Sequence, residues 1–155
     1  MLARVLVING PNLNMLGRRE PDVYGRQSLA EIQQEIEEMS LPDDIEIEFF
    51  QSNHEGALID KIQESCGLVD AIIINAGALS HYSIALHDAL KAVKVPVIEV
   101  HLSNIYARES FRHQSLVSLA ATGGIFGFGS LGYKMAVSAA CELISRRRNV
   151  QEKNN

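Results

Sequence analysis

The sequence predicts an α/β fold, a parallel sheet with helices on both faces. Three observations predict it. Short apolar runs alternate with segments of helical periodicity along the whole chain. The run "AIIIN", residues 71–75, is apolar on both faces, as a central parallel strand must be. The chain has 155 residues, the size of one domain, and 46% hydrophobic residues, enough to fill the layers between sheet and helices.

The elements follow in order. "ARVLVIN" (3–9) reads as the first strand. Ser28 and Glu31 form a capping-box signal, and Leu29, Ile32, Ile36 and Met39 then recur at helical spacing. "IEIEFF" (45–50) is the second strand, and Ser52 with Glu55 repeats the capping signal before Leu58, Ile59 and Ile62. The central strand comes next, followed by a helix from about Ser83 to Val93 that stops before Pro96. "PVIEVHL" (96–102) is the fourth strand, a short helix is expected over Ser110 to Ser118, and "GGIFGF" (123–128) is the fifth strand. A last helix is expected from Ser130 to Arg148. One domain, residues 1–150, is predicted, with a flexible polar tail, "QEKNN", at 151–155. Five strands in this alternation point to the order 2-1-3-4-5, a flavodoxin-like three-layer sandwich.

Composition narrows the function classes. Lysine and arginine number 14 against 19 acidic residues, giving a net charge of −5, and no basic stripe marks a nucleic-acid surface. The one basic run, Arg146-Arg147-Arg148, ends the last helix, where it complements the helix dipole. Cys66 and Cys141 have no metal-ligand spacing and read as free thiols of a reducing cytosol. No leader and no apolar run of membrane-spanning length is apparent, so a cytoplasmic protein is expected.

The fold class locates the site. Ligands of open parallel sheets bind beyond the carboxyl ends of the strands, where strand order reverses, here between strands 1 and 3. Three stretches just past strand ends carry the polar and titratable residues: Asn12, Arg19 and Tyr24; Asn75 and His81; His101, Ser103, Arg108 and Arg112. Glu99 and His101 are two apart on a strand and face the same way. A carboxylate beside an imidazole fixes its tautomer and suits it to general-acid work. Asn75 and His81 precede a helix N-terminus, whose N–H groups attract anions, with Ser83 as the cap. Arg108 and Arg112 share one side if their stretch is helical and would suit an anionic ligand. Tyr24 lies among Arg18, Arg19 and Arg26 in a loop, residues 17–27, that has the character of a lid. Tyrosine is a poor base at neutral pH, but neighbouring guanidinium charges favour its phenolate. Each pattern also has a structural reading: a strand-end ion pair, a capped turn, a solvated basic face and a half-packed surface tyrosine.

Other chemistries lose support. No G-x-G-x-x-G or G-x-x-x-x-G-K-[ST] pattern occurs, and no G-x-S-x-G elbow. His81 and His87 are six apart, which does not place them on one helix face as metal ligands. None of the five lysines falls at a strand carboxyl end, so a Schiff-base mechanism is disfavoured. Cofactor-free acid–base work on a small polar anion remains.

Four stretches, "INGPNLNMLGRREPDVYG", "NAGALSHYSIALHDAL", "PVIEVHLSNIYARESFRHQS" and "ATGGIFGFGSLGY", closely resemble type II 3-dehydroquinate dehydratases, in order and over about residues 4–145. The resemblance implies reversible dehydration of 3-dehydroquinate to 3-dehydroshikimate through an enolate, by anti elimination, in the shikimate or quinate pathway. It implies no metal and no cofactor, and a homo-oligomer, a dodecamer of trimers. By motif, it makes Tyr24 the base that takes the C2 proton and Arg19 the residue that holds the tyrosinate, with Arg108 in support. It gives Asn12 a water on the enolate oxygen, His101 the proton for the departing hydroxyl, and Glu99 the orientation of His101. Asn75, His81, Leu102, Ser103 and Arg112 match substrate-binding positions. Asp88 matches an acid supplied across a subunit interface, on a helix otherwise expected to face the core. The stretch "HLSN" has leucine where isoleucine is usual, a small apolar change.

Two other readings compete. A binding protein for FMN or another small anion would need a Ser/Thr/Gly-rich phosphate loop where the chain has "NGPNLN". An interaction module gives no reason for Tyr24, Glu99 and His101 to gather at strand ends.

Overall fold

Alternation along the strands divides the core in two. Val5 and Val7 point to one face of the first strand, Leu6 and Ile8 to the other, and all four are buried. The computed structural model describes residues 1–155. Its strands are β1 (Ala3–Asn9), β2 (Ile45–Gln51), β3 (Ala71–Asn75), β4 (Val97–His101) and β5 (Gly123–Phe126). They form one parallel sheet in the order β2-β1-β3-β4-β5, as the sequence predicts. The helices are α1 (Pro21–Tyr24), α2 (Leu29–Glu37), α3 (Glu55–Glu64), α4 (Ile84–Ala92) and α5 (Leu131–Lys153).

One face of the sheet packs Val5, Val7, Ile73, Ile98 and Val100 against Ile32 and Ile36 of α2 and the apolar stripe of α5. The other packs Leu6, Ile8, Ile72, Ile74 and Val97 against Leu58 and Ile62 of α3 and Leu86, Ala89 and Leu90 of α4. Every residue of β3 is buried, because both faces are covered.

Helix starts follow local chemistry. Ser28 accepts from the Glu31 N–H while the Glu31 carboxylate accepts from the Ser28 N–H, the predicted capping box. Ser83 caps α4 by accepting from the Leu86 N–H at 3.0 Å. The second predicted box does not form. Ser52 Oγ accepts from the His54 N–H at 3.0 Å in the turn, so α3 starts at Glu55 without a side-chain cap. The helix expected over 110–118 shortens to one 3-10 turn, Ser110–Arg112, after which backbone partners come from outside the segment. α5 continues through Lys153, past the expected end at Arg148. Arg148 there is held by Asp44 and by the Met1 carbonyl, so the basic run ties the helix to the start of the chain.

The strand order reverses between β1 and β3, whose last residues, Asn9 and Asn75, pair in register. The two chains leave the sheet almost in contact. The Gly10 N–H donates to the Asn75 carbonyl at 2.8 Å, and a Cβ on Gly10 would lie 2.4 Å from the Ala76 carbonyl oxygen. Gly77 has φ +59, and a Cβ there would meet the Pro11 carbonyl at 2.9 Å. Gly10→Ala therefore has to push two backbones apart at the mouth of the site. The expected cost is about 2 kcal/mol, a fall of roughly 4–8 °C in Tm, readable by calorimetry.

Candidate active site

A pocket opens at this crossover, beyond the carboxyl ends of β1, β3 and β4. Its wall contains ten of the residues the sequence singled out: Asn12, Arg19, Tyr24, Asn75, His81, His101, Leu102, Ser103, Arg108 and Arg112. Glu99 lies beneath His101 on β4, buried. Asp88 stands apart. It is exposed on α4, with Ile84 and Ala85 also exposed, so this side of the helix faces outward and not into the core. Arg18 and Arg26 are likewise exposed and outside the pocket wall.

The loop after β1 delivers Tyr24 through a short device. Glu20 takes a left-handed conformation, φ +38, and Pro21 then starts the single turn of α1, which ends in Tyr24. The ring is half-buried and packs against the first core layer. Two guanidinium groups cover it, Arg19 with Cζ 4.9 Å from the ring centre and Arg108 at 5.0 Å. Both guanidinium groups lie within cation–π reach of the ring. Arg108 also donates from Nη1 to Ser103 Oγ at 3.0 Å, tying the tyrosine to the end of β4. Arg112 reaches the same pocket without a helix. Its Nε donates to Glu109 Oε2 at 2.8 Å, and Glu109 lies 3.8 Å from Arg108, one carboxylate between two arginines. The three arginines give the wall the character of an anion site.

His101 and Glu99 face the same way, and His101 Nε2 is 3.1 Å from Glu99 Oε2. At this orientation Nε2 makes no hydrogen bond of good geometry and has no other partner. Nδ1 is then the nitrogen left for a ligand. Burial of Glu99 pushes its carboxyl up, but His101 and hydroxyl donors from Ser115 and Ser118 outweigh it and hold the group below the ordinary carboxylate range. The sign for stability follows. Glu99 binds its proton more weakly folded than unfolded, so its contribution is present above the ordinary glutamate value and is lost as pH falls through its own lower value. Acid unfolding of the Glu99→Gln variant should therefore show a shallower loss of stability below about pH 4 than the parent, by denaturant titration.

His81 stacks on His101 with ring centres 6.1 Å apart and 17° between planes. Its Nδ1–H donates to the Gln114 carbonyl at 2.8 Å in the tautomer that leaves Nε2 as an acceptor. Burial lowers its pKa, with the nearby charges of His101 and Arg112 adding to that and the Gln114 carbonyl opposing it. The shift favours the neutral ring, with Nε2 turned to the pocket as an acceptor. Asn75 is fixed from behind: Nδ2 donates to the Tyr133 hydroxyl at 3.0 Å and Oδ1 accepts from the Gly77 N–H at 3.2 Å. The Tyr133 hydroxyl in turn donates to Asn9 Oδ1. Complete burial raises the Tyr133 pKa, so this hydroxyl stays protonated as a structural bridge. Asn12 takes φ +70, and its N–H donates to Asn53 Oδ1 at 3.0 Å, which turns the chain after β1 into the pocket.

Sequence reasoning missed Tyr133, Ser115, Ser118 and Glu109. A tyrosine inside the apolar stripe of a helix was the one available signal, because a buried hydroxyl needs partners. The serines lie in the segment expected as a helix, Glu109 just before it, and nothing local marks their tertiary partners.

The arrangement offers a tyrosine under two arginines, an imidazole backed by a carboxylate, and amide, imidazole and guanidinium groups between them. It can take a proton from one atom of a small anion and give one to another. Residues 3–141 match the family model described as dehydroquinase class II. The chain is 49% identical to the 3-dehydroquinate dehydratase of Aliarcobacter butzleri, over 98% of this chain and 93% of that one. It is 54% identical to that of Halothermothrix orenii, over 92% and 97%. Its fold superposes on the crystal structure of type II dehydroquinase from Butyrivibrio crossotus with a TM-score of 0.86 and 48% identity, covering 90% of this chain and 97% of that one. The type II dehydroquinase from Propionibacterium acnes gives 0.80 and 42%, over 92% and 98%.

Proposed function

The chain belongs to the class II dehydroquinase family, and on that premise we propose how its residues share the work of the reaction. The reaction is the hydro-lyase step that interconverts 3-dehydroquinate and 3-dehydroshikimate, part of the shikimate pathway. Tyr24, as phenolate, takes the proton at C2, next to the ketone. Arg19 and Arg108 hold the negative charge on the tyrosine before transfer, and Asn12 positions a water on the enolate oxygen as charge moves there. The enolate then expels the hydroxyl from the neighbouring carbon. His101 gives that hydroxyl its proton, so the oxygen departs as water, and Glu99 orients the imidazole. Arg112, His81, Asn75, Ser103 and the backbone of Leu102 bind the substrate. The single observation that carries the reading is the pairing of a tyrosine covered by two guanidinium groups with a carboxylate-backed imidazole in one pocket.

Turnover is tested by adding purified protein to 3-dehydroquinate and following the ultraviolet absorbance of the conjugated enone. A rise that persists in a metal chelator is expected. No rise from folded protein across several pH values would sink the reading.

Asp88 has no place in the pocket of its own subunit and is exposed on α4, which supports its service to a neighbouring copy. The assembly proposed is a dodecamer of trimers, and sedimentation of the purified protein tests it. A cytoplasmic location fits two unpaired cysteines, and no helix is long and apolar enough to cross a membrane.

A further inference from the structure

Glu99 is reached by two hydroxyls from outside the sheet. Ser115 donates to Oε2 and Ser118 to Oε1, and neither serine belongs to the pocket wall. The segment that carries them, residues 113–118, has no regular secondary structure of its own. It is pinned instead. The Leu116 N–H donates to the Ser80 carbonyl at 2.7 Å, and His87 Nδ1–H donates to the Leu116 carbonyl at 2.8 Å. His81 holds the Gln114 carbonyl, and the Val117 side chain is fully buried in the α3/α4 core layer. Within the segment, Ser118 N–H donates to Ser115 Oγ at 3.3 Å, which leaves the Ser115 hydroxyl proton free for the carboxylate.

We propose that Ser115 and Ser118 are positioning residues of the acid: one hydroxyl on each oxygen keeps Glu99 ionised and aimed at His101, so that the proton of the pair resides on His101 for delivery to the departing hydroxyl. This rests on the reading of His101 as that acid. A buried carboxylate without donors takes up a proton and becomes neutral. In this pair such neutralisation would move the proton to the wrong partner. A protonated Glu99 would also need one oxygen to donate, and that oxygen would lose its serine. Beyond His101, the titratable group that senses the Glu99 charge is His81. It supplies no hydrogen bond to Glu99, so the hydroxyls have no substitute. His81 serves twice, because the ring that lines the pocket also fixes the segment that carries the serines.

The test is steady-state kinetics against pH for Ser115→Ala, Ser118→Ala, the double variant and Ser118→Thr. Each alanine variant should lower kcat about 10-fold, as expected for one hydrogen bond to a charged group, with KM near that of the parent. The acidic limb of kcat should move to higher pH, furthest in the double variant. Ser118→Thr, which keeps a hydroxyl, should recover most of the loss. Each single variant keeps one serine and suffices for the test if the double variant does not fold. Folded alanine variants with the parent kcat and an unmoved acidic limb overturn the proposal, as does a loss that threonine shares. His101→Gln, measured alongside, keeps the two readings apart. If it is inactive while the serine variants match the parent, the acid stands and the clamp falls. If it turns over normally, the acid reading itself fails.

Discussion

Replacing Tyr24 by phenylalanine should lower kcat on the order of 10³-fold and leave KM within a few-fold of the parent. The substitution removes one oxygen from a half-buried ring that two guanidinium groups contact, and the ring itself can stay where it is. The lost oxygen is the proposed proton acceptor, and removal of a positioned general base costs 10² to 10⁴ in rate. Substrate binding is proposed to rest on other groups, Arg112, His81, Asn75 and Ser103, all of which line the same pocket. A fall in kcat with KM held is the signature of an interaction made in the transition state. A loss confined to KM would mean that Tyr24 serves binding only.

His101→Gln should lower kcat by a comparable factor, ~10² to 10³, by removing the proton for the departing hydroxyl. Hydroxide is a poor leaving group, so the enolate then reverts to ketone more often than it eliminates. Glutamine retains much of the shape of the side chain and a donor toward Glu99, which limits the effect on folding. The partner Glu99 is buried, and a larger truncation at 101 would leave that carboxylate unpaired. The prediction is checked with stopped assays at substrate saturation. Activity within three-fold of the parent would remove His101 from the chemistry.

The fold was legible because each strand carries its own burial pattern. "AIIIN" reads as central from composition alone, and it is central. The site was legible because parallel topology concentrates it at strand ends, where Tyr24, His101 and the amides stand in the sequence. The stretch 110–118 departs from the short helix expected there. In the fold its backbone bonds go to Ser80, His81 and His87, tertiary partners that no local pattern announces. The extent of α5 was underestimated for a related reason. Arg148 finds Asp44 and the Met1 carbonyl, and that tertiary anchor carries the helix beyond its apolar stripe. Asp88 lies on a helix expected to face the core, but α4 turns that residue to the surface.

The division of labour between Tyr24 and His101 is tested most directly by hydrogen exchange at C2. 3-Dehydroquinate is incubated in D₂O with the parent protein, Tyr24→Phe and His101→Gln, and the C2 protons are followed by NMR. The account predicts neither exchange nor elimination with Tyr24→Phe, and exchange that outruns elimination with His101→Gln. Exchange at the parent rate with Tyr24→Phe would contradict it, and the proton acceptor would have to be sought elsewhere in the pocket.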